Sequence, residues 1–453
     1  MRSSFVLASL VALVAPDLAR ADELRSRPES LPHYVSEQKR MSVTDAAKKR
    51  EGFFVTGLPF FSSDPLNGVG GGATGYIHYN GTRSDPFFEY TSYRARLGLK
   101  GEYTTGNAAG VSLKLDAPFI ANTAWRLKID GKFESTPNNL YFGLTERTLE
   151  PFPEHKYSTY AASLARSRPG GPGEAPVVTD SLRHLFLERE WMLNLKGERV
   201  VLDGNWRVLA GYEIQHLTYE TYENVRTNGV PNGRSLLRAD AEAGRAIGLA
   251  GGRVSLVQLS LMYDTRDFDP DPYRGFFFEW GNEHSARYTG SEYTFHKMLF
   301  QARHYLPIAP RALKRTLLAT RVGYGTIISG DAPFFEYQDQ WSAEGSIRAL
   351  GGAQTLRGFK ANRFLGRTVG FVNIEFRTRF ADFDWLGQNI TLTAAPFLDL
   401  GSIGDEVLLV KPTIRAAAGA GLRVGWNRST VIVADAAFSR EDAQLFINFN
   451  QSY

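Results

Sequence analysis

Two groupings of side chains in this sequence have the types and spacing to do chemistry. The first is Arg357, in the run Leu356-Arg357-Gly358-Phe359 behind Gly351-Gly352, with Glu375 and Asp399 further along the chain. A guanidinium is a planar fork of donors that can meet a carboxylate through two parallel hydrogen bonds, which a lysine cannot. That trio makes a clamp rather than a catalyst. The second is the acidic stretch Asp264, Asp267, Asp269 and Asp271. A calcium loop wants oxygen ligands at close, alternating spacing. These do not match it, and Pro270 and Pro272 stiffen the segment, so a structural turn is the better reading and no metal is assigned. The 8 histidines form no H-E-x-x-H pair, and no G-x-S-x-G is present. His216 and His284 fall near strand ends without an evident carboxylate partner. The count of 0 Cys excludes disulfides and thiolate-ligated metals. No enzyme and no cofactor are expected.

The elements that must position these groups are strands. In Val369 to Phe380, Val372, Ile374, Phe376, Thr378 and Phe380 point one way, and Asn373, Glu375, Arg377 and Arg379 the other. A period of two with one apolar and one charged face is a half-buried strand. The pattern recurs in Leu97 and Leu99 against Arg96 and Lys100, in Trp125, Leu127 and Ile129 against Arg126, Lys128 and Asp130, and in Ile390 to Asp399. The expected strands are 53–60, 69–79, 92–103, 108–117, 124–133, 183–196, 206–219, 253–264, 274–285, 292–305, 316–328, 368–380, 390–400, 414–425, 430–439 and 443–452. No helical segment is available to cover their apolar faces. A sixteen-stranded antiparallel transmembrane β-barrel puts every apolar face in lipid and leaves no sheet edge. The long connections 134–182, 220–252 and 329–367 then share one side of the membrane, the outer one if the N-terminus is periplasmic. Residues 166–176, rich in Pro and Gly, read as a loop tip. Glu375 and Asp399 lie on adjacent strands and on the lumen side of the alternation. Arg357 sits on a loop long enough to reach between them. The spacing alone leaves two readings: a lumen clamp, or an exposed arginine with unrelated carboxylates.

Composition agrees with a barrel. Aromatic residues make up 13% of the chain, with 30 Phe and 20 Tyr, and there are 44 Gly. Barrels use aromatics as interfacial girdles and glycine at bends; Trp125, Trp206, Trp280 and Trp426 are read as girdle residues. A mean hydropathy of −0.26 fits strands with only alternate residues in lipid. The net charge of +4 comes from interspersed charges, which gives no basis for a nucleic-acid partner. Residues 1–21 have a basic start, an apolar run from Phe5 to Ala15 and Ala19-Arg20-Ala21 before Asp22, which together read as a cleavable signal peptide. The eleven apolar residues are too short to span a bilayer. Residues 22–51 form a short periplasmic extension in which Val35 to Arg50 could be one helix, and the barrel domain occupies 52–453. Leu445, Ile447, Phe449 and Tyr453 are expected on one face of the last strand, as a C-terminal aromatic signal.

From about Gly52 to Tyr453 the chain resembles the bacterial surface antigen family, the BamA/TamA-type outer-membrane barrels. Four elements carry the resemblance, in order. Tyr263-Asp264-Thr265-Arg266-Asp267 with Arg274-Gly275 is similar to the family's turn between strands eight and nine. Gly351-Gly352 with Leu356-Arg357-Gly358-Phe359 is similar to the element that folds back into the lumen. Asn373-Ile374-Glu375-Phe376-Arg377 and Phe397-Leu398-Asp399-Leu400-Gly401 match the two strands that follow. The resemblance implies that the loop enters the barrel and that Arg357 is clamped by Asp399 and Glu375, with Phe359 packing on lumen residues such as Phe397. Asp264, Arg266, Asp267 and Gly275 become a structural turn. The family's tandem POTRA domains find no room in residues 22–51. The resemblance implies a barrel in the lipid bilayer of the outer membrane that inserts or translocates proteins, with an unfolded outer-membrane protein as client, or that moves lipids. A weak seam between first and last strands would serve this, since Thr56, Gly57 and Pro59 sustain a ladder poorly. The reading from another class is a passive plugged pore or structural surface barrel with no client.

Overall fold

The computed structural model describes residues 29–453 except 42–45, 48, 65–66, 150–181, 224, 228–229, 232, 268–270, 309–314, 387, 411, 427–429 and 450–452. The expected signal peptide, the Pro/Gly-rich loop tip and Asp269 lie outside the described residues.

Sixteen strands form one antiparallel sheet in sequence order, each paired with its chain neighbours. They are β1 (Phe53–Asp64), β2 (Gly68–Tyr79), β3 (Ala95–Thr104), β4 (Ala109–Ala117), β5 (Trp125–Leu140), β6 (Leu185–Val201), β7 (Trp206–Thr221) and β8 (Gly252–Asp264). They continue as β9 (Gly275–Ser285), β10 (Phe295–Pro307), β11 (Thr316–Gly330), β12 (Thr368–Trp385), β13 (Gln388–Gly404), β14 (Arg415–Trp426), β15 (Thr430–Phe438) and β16 (Ala443–Phe449). This is the expected all-β barrel. The long connections all leave odd-numbered strands, after β5, β7 and β11.

The alternation sorts the residues as lipid outside and polar lumen inside require. Leu99, Val111, Leu193, Leu195, Leu259, Val322 and Leu398 are exposed on the outer face. Asn194, Arg207, Gln258, Glu279, Arg321, Glu375 and Asp399 are buried on the inner one. The upper lumen carries an apolar core. Tyr141, Phe186, Leu217, Leu237, Phe295, Phe334 and Leu365 pack together where the long connections fold inward over the strands. One of those connections holds the short helix α1 (Leu236–Glu242).

Several expectations are corrected. β5 runs on to Leu140, into the segment read as a loop, with a register shift between Thr136 and Asn139 that lets the strand continue. Of the single helix considered over Val35 to Arg50, the described residues keep helical backbone at 46–47, while its first part is a 3-10 turn at Glu37–Lys39 followed by extended backbone at Arg40. Packing overrides helix propensity there: Leu31 and Val35 are buried against Phe87 and Tyr90, and the Met41 N–H donates to the Glu89 carbonyl at 2.8 Å. Tyr453 does not share the outer face with Leu445 and Ile447, which are 73% and 64% exposed while Tyr453 is 4% exposed. It packs inside on Tyr305, Leu317 and Ala319, where its ring lies under the Arg377 guanidinium. Phe449 pairs with Ile432 across β15 and β16.

Candidate functional site

The connection from residue 331 to 367 crosses the lumen and is held at three places. At the first, Arg357 is 2% exposed. Its Nε and Nη2 donate to the two oxygens of Asp399, both at 2.8 Å, and its main-chain N–H adds a third bond at 3.1 Å. Nη1 donates to Glu375 at 2.7 Å and to Asp435 at 3.0 Å. Around this centre Arg377 donates to Glu375 at 2.8 Å, and Arg423 donates to Glu375 at 3.0 Å and also to Asp435. Asn373 donates to Asp399 at 2.8 Å and to the Thr355 carbonyl at 2.6 Å. Three guanidinium groups thus face three carboxylates from β12, β13 and β15, all buried. Such a set is stable only when each charge is matched. Phe397 supplies the floor, with the Arg357 guanidinium 3.5 Å above its ring centroid.

Local sequence explains why the loop can reach this place. Gly358 has φ +90°, and a Cβ there would lie 2.9 Å from the Phe438 main chain, so only glycine fits without strain. Leu356 and Phe359 then enter an apolar cluster with Leu350, Phe364, Val369 and Phe371. Phe359 packs edge-on against Phe364, ring centroids 5.2 Å apart, rather than on Phe397, whose face is taken by the guanidinium.

At the second place the loop tip meets the turn between β15 and β16. Ser439 donates to the Gly358 carbonyl at 2.6 Å. Arg363 forms two bonds to Glu441, at 2.7 and 3.0 Å, and Lys360 lies 3.1 Å from Asp442.

The third place sits at the start of the loop, on the opposite wall. Glu344 accepts from Arg207 at 3.2 Å, Arg266 at 3.0 Å and Arg303 at 3.2 Å. Burial raises the Glu344 pKa, but the three arginines outweigh it and hold the carboxyl well below the usual range. Glu279 on β9 accepts from the Ser342 hydroxyl and the Ala343 N–H, both at 2.6 Å. Trp341 is buried with Leu209, Met262 and Phe277. One loop therefore touches the polar faces of strands from β7 to β15, so the sheet wraps around it.

The turn residues have a larger part than sequence suggested. Asp267 accepts from the Tyr273 and Arg274 N–H groups at 2.9 and 3.3 Å. Gly275 has φ +115°, and a Cβ there would strike the Thr265 carbonyl at 2.4 Å. Asp264 and Arg266, however, point into the lumen. Asp264 binds Arg266 at 2.9 Å, Arg207 at 2.9 Å and Lys39 at 3.1 Å. The segment before β1 thereby joins the Glu344 cluster. A cleft of about 100 Å³ lies there, lined in part by Tyr34, Lys39, Tyr90, Arg126, Arg207 and Asp264.

Sequence reasoning named Arg357, Glu375, Phe397 and Asp399, and the structure brings these four together. It missed Arg423, Asp435 and the Glu344 group. Asp435 is the one charged residue in the strand TVIVADAAF, and that oddity was the available signal. Nothing local marked Glu344, because its partners lie 137, 78 and 41 residues away.

A family model described as the Omp85 superfamily domain matches residues 94–446. A second, described as a domain of unknown function (DUF5982), matches residues 31–94. No curated protein matches. Among solved structures, BamA from Haemophilus ducreyi lacking POTRA domains 1-3 is 13% identical with a TM-score of 0.50, over 89% of this chain and 70% of that one. CdiB from Escherichia coli is 11% identical with a TM-score of 0.52, over 88% of this chain and 62% of that one. The chain spans less than two thirds of CdiB, and at these identities the likeness is one of fold.

Proposed function

The chain belongs to the Omp85 superfamily, and from that premise we propose that it inserts or translocates polypeptides at the outer membrane, using neither ATP nor a cofactor. Export would use residues 1–21 as a cleaved leader. The client would be an unfolded outer-membrane protein.

The observation that carries this reading is the way the lumen loop is fastened. Arg357 ties it to β12, β13 and β15, and Gly358, Lys360 and Arg363 tie its tip to the β15–β16 turn. The C-terminal end of the sheet is thus braced from inside. None of these named ties involves β1, which contains Gly57 and Pro59. Proline has no N–H to give a ladder, and glycine in a strand interior weakens it. In our reading β1 parts from a fixed β16, and the freed edge offers N–H and C=O groups to an incoming strand. Arg357 has a positioning role in this scheme: it holds the template edge still.

The test places purified barrel in phosphatidylcholine vesicles with urea-unfolded eight-stranded outer-membrane protein. Folding is followed by heat-modifiable gel mobility, and ion flux is measured in parallel. Insertion faster than in empty vesicles, and slower with Arg357→Ala, supports the proposal. No acceleration, together with flux that rises in Arg357→Ala, would identify a plugged pore instead.

A further inference from the structure

The connection between β13 and β14 folds back over the outside of the barrel, and the strand residues beneath it are of the wrong type for lipid. On β11 and β12 the outward phase includes Val322 and Phe376, which are exposed and apolar. Continuing along the same outward phase towards the end of the barrel that carries the long connections, the residues become Tyr324 and Thr326 on β11 and Thr368 and Gly370 on β12. Gly404 ends the same face on β13. Thr326 and Thr368 are fully buried although they point outward, and their hydroxyls lie 2.7 Å apart. What buries them is the connection. Thr368 donates to the Glu406 carbonyl at 2.5 Å, and the Tyr324 hydroxyl donates to the Val407 carbonyl. The Leu409 side chain occupies the space that a Cβ on Gly370 or Gly404 would need, at 2.6 and 3.0 Å. Two glycines and three hydroxyl residues thus form a seat on the outer wall.

Beyond the exposed Asp405 and Glu406 at its start, the connection turns large apolar side chains away from that seat. Leu408, Val410 and Ile414 are 69%, 63% and 64% exposed. Three large aliphatic side chains on a loop tip need an apolar neighbour. Their position gives one, because the loop lies over the face that continues the lipid-facing belt of Val322, Val372 and Phe376.

We propose that this connection is a membrane-seated flap whose Leu408, Val410 and Ile414 sit among the acyl chains of the adjoining leaflet, so that the belt interrupted at Thr326, Thr368 and Gly370 is completed by a loop. The flap lies on the outside of the strands whose inner faces hold Arg357. The inference stands independently of the client-insertion reading.

The absence of cysteine from the sequence makes the test direct. Leu408→Cys and Val410→Cys each give a unique site for a nitroxide label, with Val322→Cys as the lipid reference and Ala243→Cys, in an exposed connection, as the aqueous one. The barrel is placed in phosphatidylethanolamine/phosphatidylglycerol vesicles, and label accessibility to oxygen and to a water-soluble nickel chelate is measured. The flap predicts oxygen-dominated accessibility at 408 and 410, matching position 322. Gly370→Val in the Leu408→Cys background should unseat Leu409 and shift the label toward the aqueous reference. Chelate-dominated accessibility at both positions without the Gly370 change would overturn the proposal. So would labels shielded from both reagents, which would mean a protein partner or a second copy on this face.

Discussion

Truncation of Arg357 would leave Glu375, Asp399 and Asp435 buried without the guanidinium that bridges all three. Breaking a buried pair from one side costs about 3–5 kcal/mol, mostly through the charge left unmatched. Arg357→Ala should therefore release the loop while the strands stay paired, and limited proteolysis between residues 331 and 367 should rise by orders of magnitude with heat-modifiable mobility unchanged. Arg357→Lys keeps the charge but not the paired hydrogen bonds to Asp399, so its cleavage rate should fall between those of wild type and Arg357→Ala. If Arg357→Ala is as protected as wild type, the apolar cluster of Leu356 and Phe359 alone holds the loop. Gly358→Val forces a branched side chain into positive φ, at about 1–3 kcal/mol, and against the Phe438 main chain. It should expose the tip near Lys360 more than the Trp341 end, a difference readable by mass spectrometry of the fragments. Glu344 gives the pH dependence. Its folded pKa is depressed by Arg266, Arg207 and Arg303, against the opposing effect of burial. The stabilisation is present above the ordinary carboxylate pKa and is lost as pH falls through the depressed value. Protease protection at the loop's start should thus persist through pH 4 and fail only in stronger acid, whereas Glu344→Gln should be less protected at neutral pH. Loss of wild-type protection between pH 6 and 5 would contradict this assignment.

At the scale of elements, the strands were legible because lipid outside and a polar lumen inside write a period of two into each of them. Their order followed from short turns, and Gly275 shows why one such turn needs its glycine. The boundaries were less legible. β5 passes through a register shift, and its last residues, Pro137 to Leu140, have no alternation to show. The segment before β1 misled in the other direction: its polar, helix-compatible composition gave no sign that Leu31 and Val35 would be buried beneath Phe87 and Tyr90. Tyr453 was misplaced for a related reason. A tyrosine suits an outer girdle or a lumen wall, and what selects the wall is Arg377, whose guanidinium lies over its ring and donates to its main-chain oxygen at 3.0 Å. The Arg357 cluster was half legible. Glu375 and Asp399 stand out on their strands, but Arg423 sits in an Ala/Gly-rich strand, where its distance from Glu375 becomes visible only on folding.

For the whole molecule, in the proposed mechanism the lumen loop is a brace with two inner anchors and one at the last hairpin, and β1 is the moving part. A brace can be replaced by a chemical one. With no native cysteine to interfere, Lys360→Cys and Asp442→Cys can be bridged by a reducible bismaleimide across the gap now spanned by their ion pair. The decisive measurement is the rate at which unfolded outer-membrane protein inserts into vesicles carrying this pair in the Arg357→Ala background, before and after reduction of the bridge. The account predicts slow insertion without the bridge, recovery toward the wild-type rate with it, and loss of that recovery on reduction. Insertion that is already at the wild-type rate in Arg357→Ala, or that stops when the bridge is in place, would contradict it.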